Sequence, residues 1–197
     1  MPANYDPQDS PRAAARQQVP GRSQQAVALA GFFSLSLAAW AAASVPIILH
    51  SSGWFAESAK APWMPPGWMF RSMWMLLYAA VAVAAWLVWR KGALTGGTLA
   101  GYLSQLVLNA AWPLAFFGLF PVFGRASLWA AFVVIAALGV SVTFLILRFG
   151  PVSAAAGLLM LPYLSWVVFS SSLNLYAAIH NESPAATATP VTNFTQP

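Results

Sequence analysis

The 197-residue sequence contains no cysteine, and only 7% of its residues are charged. Without cysteine there is no disulfide, no thiolate metal site and no cysteine nucleophile, and the redox compartment is left open. Acids are confined to Asp6, Asp9, Glu57 and Glu182, all outside the long apolar runs. Ion-coupled carriers place carboxylates inside the membrane, so proton- or cation-driven transport is disfavoured. Histidine occurs only at His50 and His180, at the ends of expected helices. Axial haem ligation within a bundle would therefore fall to Met or Tyr, and no metal site is expected. The net charge of +5 also lies outside the apolar runs. It reads as topology and lipid-headgroup contact, with no nucleic-acid partner implied.

What the chain has in abundance is apolar surface: 59% hydrophobic residues and a mean hydropathy of +0.67. Soluble domains carry roughly a quarter charged residues, so the bilayer is the expected solvent. Five charge-poor runs, 26–49, 68–89, 98–119, 126–147 and 153–179, each reach the roughly 20 residues that a spanning helix needs. The expected fold class is all-α, a polytopic bundle of five transmembrane helices within a domain at 26–181. The polar stretches 1–25 and 182–197 are expected to be disordered tails. Pro46 should kink or end the first helix, and Pro113 should bend the third. An odd number of spans puts the termini on opposite sides. Arg12, Arg16, Arg22, Arg90, Lys91 and Arg148 then face Lys60, Arg71 and Arg125 across the membrane. The positive-inside rule places the N-terminus in the cytoplasm of a bacterial cell. A bacterial or mitochondrial outer membrane is the alternative.

Six of the ten tryptophans fall between residues 54 and 89. Indoles gather where a ring meets hydrocarbon and its N–H meets a polar partner, which suits Trp68 and Trp89 at the ends of a run but not Trp74 inside it. Trp40, Trp54, Trp86 and Trp129 read as packing or belt residues. Tyr102, Gln105, Asn109, Trp112 and Phe116 recur at steps of three and four and so share one helix face. Tyr163, Trp166, Ser170 and Asn174 do the same, as do Trp74, Tyr78 and Ala82. Polar groups facing lipid are costly, so the three faces should turn inward around an aromatic cavity with neutral donors and acceptors. The plainer reading is interhelical glue, worth about 0.6–2 kcal/mol per contact. It suits Asn174, and Gln105 or Tyr102 taken singly.

The order Lys60, Trp63, Pro65, Pro66, Phe70, Trp74, Leu77, Tyr78 resembles the W-x-P-P-x-x-x-F-x-x-x-W-x-x-L-Y signature of the translocator protein or tryptophan-rich sensory protein family (TspO/MBR). LNAAWPLAFFG at 108–118 and LPYLSWVVFSSSLN at 161–174 match the same family in the same order. The resemblance implies a five-helix membrane protein, often a homodimer, that binds porphyrins such as protoporphyrin IX and needs no cofactor. It implies a role as a sensor or scavenger in porphyrin and oxidative-stress regulation. The alternatives are a light-dependent porphyrin-degrading enzyme and a lipid or tetrapyrrole carrier. Carried over by motif, the ligand would meet Trp63, Trp74, Asn109, Trp112, Trp166 and Ser170, and the expected set is completed by Tyr78, Gln105, Tyr163 and Phe169. The loop 51–66 would act as a lid. If photochemistry occurs, Trp74 and Trp166 would be the oxidised, catalytic residues. Haem is a further possible tetrapyrrole. Sterol binding is doubtful, because after Leu173 and Tyr176 only His180 stands where the proposed cholesterol pattern wants Lys or Arg. Ala61 replaces the family's loop proline, and Ser170, Ser171 and Ser172 make the fifth helix more polar. Gly97 and Gly101, spaced as G-x-x-x-G, suggest a dimer contact.

Overall fold

A computed structural model describes residues 20–182. The tails expected at 1–25 and 182–197 fall almost wholly outside these residues. Among them the structure is all helical: α1 (Arg22–His50), the single turn α2 (Trp54–Glu57), α3 (Gly67–Trp89), α4 (Gly96–Pro113), a π-helical segment (Leu114–Gly118), the short α5 (Phe120–Phe123), α6 (Arg125–Phe149) and α7 (Ala154–His180). α1, α3, α6 and α7 are each long and apolar enough to cross a membrane. The fifth span is α4 continued by the π segment. The chain is an integral membrane protein built as a five-helix bundle.

Packing follows the apolar spacing. On α6 the buried positions Leu128, Ala131, Ile135, Leu138, Val142, Leu145 and Phe149 alternate steps of three and four. On α7 Ala156, Met160, Tyr163, Val167, Ser170, Asn174 and Ala177 do likewise. This is the seam of two antiparallel helices packed along their length. From that pair the ring closes through neighbours, with α7 against α3, α3 against α1, α1 against α4, and α4 against α6. Two glycines set close approaches. A Cβ at Gly157 would sit 2.9 Å from the Gly150 Cα, so α7 can start against the end of α6 only with glycine there. A Cβ at Gly101 would lie 2.8 Å from the Phe144 ring, and the Gly101 carbonyl accepts from Ser141 Oγ at 3.3 Å. Of the G-x-x-x-G pair, Gly101 packs against α6 of its own chain, and Gly97 has open space around it.

The prolines act unequally. Pro46 does not end α1, which runs one more turn to His50. Pro113 does mark a change. Proline has no N–H to give to Asn109, four residues back, and beyond it the chain takes the wider π pattern, with Leu119 N–H donating to Leu114 O at 3.0 Å. Pro162 is carried inside α7 without ending it. α1 begins at Arg22, four residues before the expected start. The Gly21 N–H is capped by Gln24 Oε1 at 3.0 Å, because a helix can extend beyond the hydrocarbon that hydropathy detects.

Candidate functional site

Between α1, α3, the junction of α4 with the π segment, and α7 lies a cavity of about 650 Å³, within the roughly 300–1,000 Å³ typical of small-molecule sites. The segment joining α1 to α3 covers it, contributing Phe55, Ala61 and Met64 to the lining. Three residues hold that lid. Trp54 stacks on Phe120 with centroids 3.7 Å apart, and its indole N–H donates to Phe117 O at 3.1 Å. Trp63 donates to Ser172 Oγ at 3.2 Å and meets the Tyr176 ring edge-on. At the end of α7, Asn181 Oδ1 accepts from Ala59 N–H at 2.8 Å, while its Nδ2 donates to Ala59 O at 3.0 Å. Nothing local in the sequence announces this last clasp, which joins residues 122 apart. Each neutral bond contributes about 0.5–1.5 kcal/mol, so Asn181→Ala should raise amide hydrogen exchange across 54–64 roughly tenfold while leaving α6 unchanged. Equal exchange in both proteins would remove the clasp from the account.

The walls are aromatic. Trp74 and Trp112 lie with centroids 6.0 Å apart and planes 29° from parallel. Phe70 is 6.4 Å from Trp112 and Phe116 5.6 Å. Trp112 is fixed from behind, because its Nε1 donates to Asn174 Oδ1 at 2.8 Å and Asn174 Nδ2 donates to Leu128 O at 2.9 Å. Asn174 thus ties α4, α6 and α7 together and also touches the cavity. Under the wall runs a buried polar chain: Asn109 Nδ2 donates to the Tyr163 hydroxyl at 2.7 Å, which donates to Gln105 Oε1 at 2.9 Å. By contrast Trp74 Nε1, Tyr78 Oη and Ser170 Oγ are buried and have no hydrogen-bond partner among the described residues. Four further buried polar atoms, on Ser36, Tyr102, Gln105 and Trp166, are also unpartnered among the described residues, but only Trp74, Tyr78 and Ser170 line the cavity, where an entering group can meet them.

The ten expected ligand residues divide cleanly. Trp74, Tyr78, Asn109, Trp112 and Ser170 meet in the lining. Gln105 and Tyr163 do not reach it; both are fully buried behind Asn109 and bonded to one another. Trp166 lies about 60° around the helix from Tyr163, off the lining and behind Phe70 at 5.6 Å. Phe169 stands beside it, 5.2 Å from the Trp166 ring. Trp63 is half exposed and outside the lining, packed on Ser172 and Tyr176 of α7. Trp74 and Trp166 therefore do not flank the cavity from opposite walls. Sequence reasoning missed Trp40, Ala43, Ser44 and Ile47 of α1, which line the fourth side. Their spacing of three and four was visible, but α1 offers few polar residues to mark an inward face, and the Ser44 hydroxyl is turned back onto Trp40 O at 2.8 Å.

The model of the TspO/MBR family matches residues 26–179. Among characterised proteins, the tryptophan-rich protein TspO of Chlorobaculum tepidum is 33% identical over 156 residues, covering 77% of this chain and 94% of its own. The tryptophan-rich sensory protein of Cereibacter sphaeroides is 32% identical over 146 residues, 74% of this chain and 88% of its own. Human translocator protein is 34% identical over 132 residues, 64% of this chain and 75% of its own.

Proposed function

The chain belongs to the TspO/MBR family, and from that premise we propose that it binds a tetrapyrrole of the protoporphyrin type and serves as a sensor or scavenger of it. The observation that carries this reading is the cavity wall itself: two near-parallel indoles, Trp74 and Trp112, beside three buried donors left unpaired at Trp74, Tyr78 and Ser170. A flat conjugated ring gains by lying against indole faces, on the order of 1 kcal/mol per contact beyond burial. The unpaired donors want acceptor atoms on whatever enters. A macrocycle with ring nitrogens and polar edges offers both, and the aromatic residues present fit it. Its binding would need no acid–base or nucleophilic group from the chain. We read the N-terminus as facing the cytoplasm of a cell, because Arg12, Arg16 and Arg22 tip an otherwise even balance between Arg90, Lys91 and Arg148 on one side and Lys60, Arg71 and Arg125 on the other. The lid and cavity then lie toward the opposite face.

The test is a titration of the purified protein with protoporphyrin IX in darkness, following tryptophan emission. Saturable quenching with a shifted porphyrin absorption band is expected, because several indoles line or adjoin the site. Linear, non-saturating quenching, the same as that given by empty micelles, would overturn the reading.

A further inference from the structure

Among the described residues only two charged ones line the cavity, Lys60 and Arg71, and both are cations. Neither described acid, Glu57 or Glu182, joins them. The two cations are not equivalent. Lys60 is already engaged: its Nζ donates to Ala56 O at 2.9 Å and to Ser58 O at 3.0 Å, and it stands 5.0 Å from the Phe55 ring centroid. It serves the lid's own shape. Arg71 stands on the second turn of α3, next to Phe70 and one turn before Trp74. Its side chain is exposed at the mouth, its Nη1 reaches back over the first turn, 3.8 Å from where a Cβ on Gly67 would stand, and it makes no hydrogen bond or ion pair among the described residues.

We propose that Arg71 is a specificity residue that receives an ionised carboxylate on the ligand, so that the cavity selects flat aromatic acids over neutral aromatics of the same shape. The inference rests on the ligand reading above and adds to it the charge of the ligand and the side on which that charge sits. The apolar body lies inward against Trp74, Trp112 and Phe70. The acid stays at the mouth, where it keeps part of its hydration and avoids the cost of burying an anion among aromatic rings. A guanidinium meets a carboxylate with two parallel N–H donors, which gives direction as well as charge. A lysine ammonium already shared between two carbonyls offers less. A phospholipid phosphate could engage the same guanidinium, and the two sources of anion are separable.

The experiment compares protoporphyrin IX with its dimethyl ester, which has the same macrocycle and no ionisable acid, on wild type and on Arg71→Gln in an uncharged detergent in darkness. Wild type should bind the acid about tenfold more tightly than the ester. Arg71→Gln should lose that tenfold for the acid and keep ester affinity within twofold. Three results would overturn the inference: equal wild-type affinities for acid and ester, an equal loss for both ligands in the variant, or no change for either. If wild type binds neither, the tetrapyrrole reading fails and takes this inference with it; if it binds both alike, only the inference fails. Micelles doped with phosphatidylglycerol complete the test. A site for the ligand's own acid keeps its preference there, whereas disappearance of the preference would assign Arg71 to headgroups and refute the proposal.

Discussion

Asn174→Leu should destabilise the protein more than any other single replacement of a polar residue in the bundle. Interhelical hydrogen bonds in membrane proteins contribute only about 0.6 kcal/mol on average, because the separated helices find other partners. Asn174 departs from that average for a geometric reason. It accepts from Trp112 Nε1 at 2.8 Å and donates to Leu128 O at 2.9 Å, and all three residues are buried, with Asn174 only 1% exposed. Leucine has a similar size but leaves the Trp112 N–H unmet in the interior, at about 1–3 kcal/mol, while Leu128 O, a carbonyl within α6, loses only a bond additional to its helical one, worth about 0.5–1.5 kcal/mol. A net loss of about 2 kcal/mol is expected, together with a lower midpoint in thermal unfolding followed in detergent. Ser165→Ala is the control. The Ser165 hydroxyl bonds only to Leu161 O of its own helix and is exposed, so its loss should shift the midpoint by less than a quarter as much. Equal shifts for the two variants would mean that the three-helix tie contributes nothing specific.

The same residue shows what could be read from the sequence and what could not. Spacing along a helix states which positions share a face, and the faces through Asn109 and Trp112 and through Tyr163, Ser170 and Asn174 were legible because polar atoms in lipid are expensive. Depth along the face is not stated. Gln105 and Asn109 share a face, yet Asn109 borders the cavity while Gln105 is sealed behind it. Nor does a three-and-four spacing fix angle within tens of degrees, which is why Trp166 shares a face with Tyr163 by spacing but stands off the wall beside Phe169. α1 shows the converse. Its lining residues Trp40, Ala43, Ser44 and Ile47 keep the right spacing, but where nearly every position is apolar the inward side carries no contrast. In the sequence Arg71 reads only as a topological charge, since a sequence gives its sign and not the mouth it stands in. The Asn181 clasp on Ala59 joins distant parts of the chain through one side chain, and such a contact has no periodic signature.

Trp74→Leu should cost the largest part of protoporphyrin affinity that any one side chain can remove, about a hundredfold. Trp74 is 7% exposed and does three things at the wall. It presents an indole face nearly parallel to Trp112, it supports Phe70 and Tyr163 by ring contacts at 6.2 Å and 6.3 Å, and it aims an unpaired N–H. Leucine retains part of the apolar volume but no face and no donor. The stacking contribution of about 0.5–1.5 kcal/mol and one hydrogen bond of about 0.5–1.5 kcal/mol come to about 1–3 kcal/mol, where each 1.4 kcal/mol is tenfold; loosening of the neighbouring rings places the expectation in the upper part of that range. Trp74→Phe separates these contributions. It keeps a face and loses the donor, so it should fall between wild type and leucine, about tenfold weaker than wild type. Trp166→Phe, by contrast, alters a ring outside the lining and should leave dark affinity within about threefold. If Trp166→Phe weakened dark binding as much as Trp74→Leu, the ligand would have to lie on the Phe169 side of Phe70, and the cavity beneath the lid would not be its site.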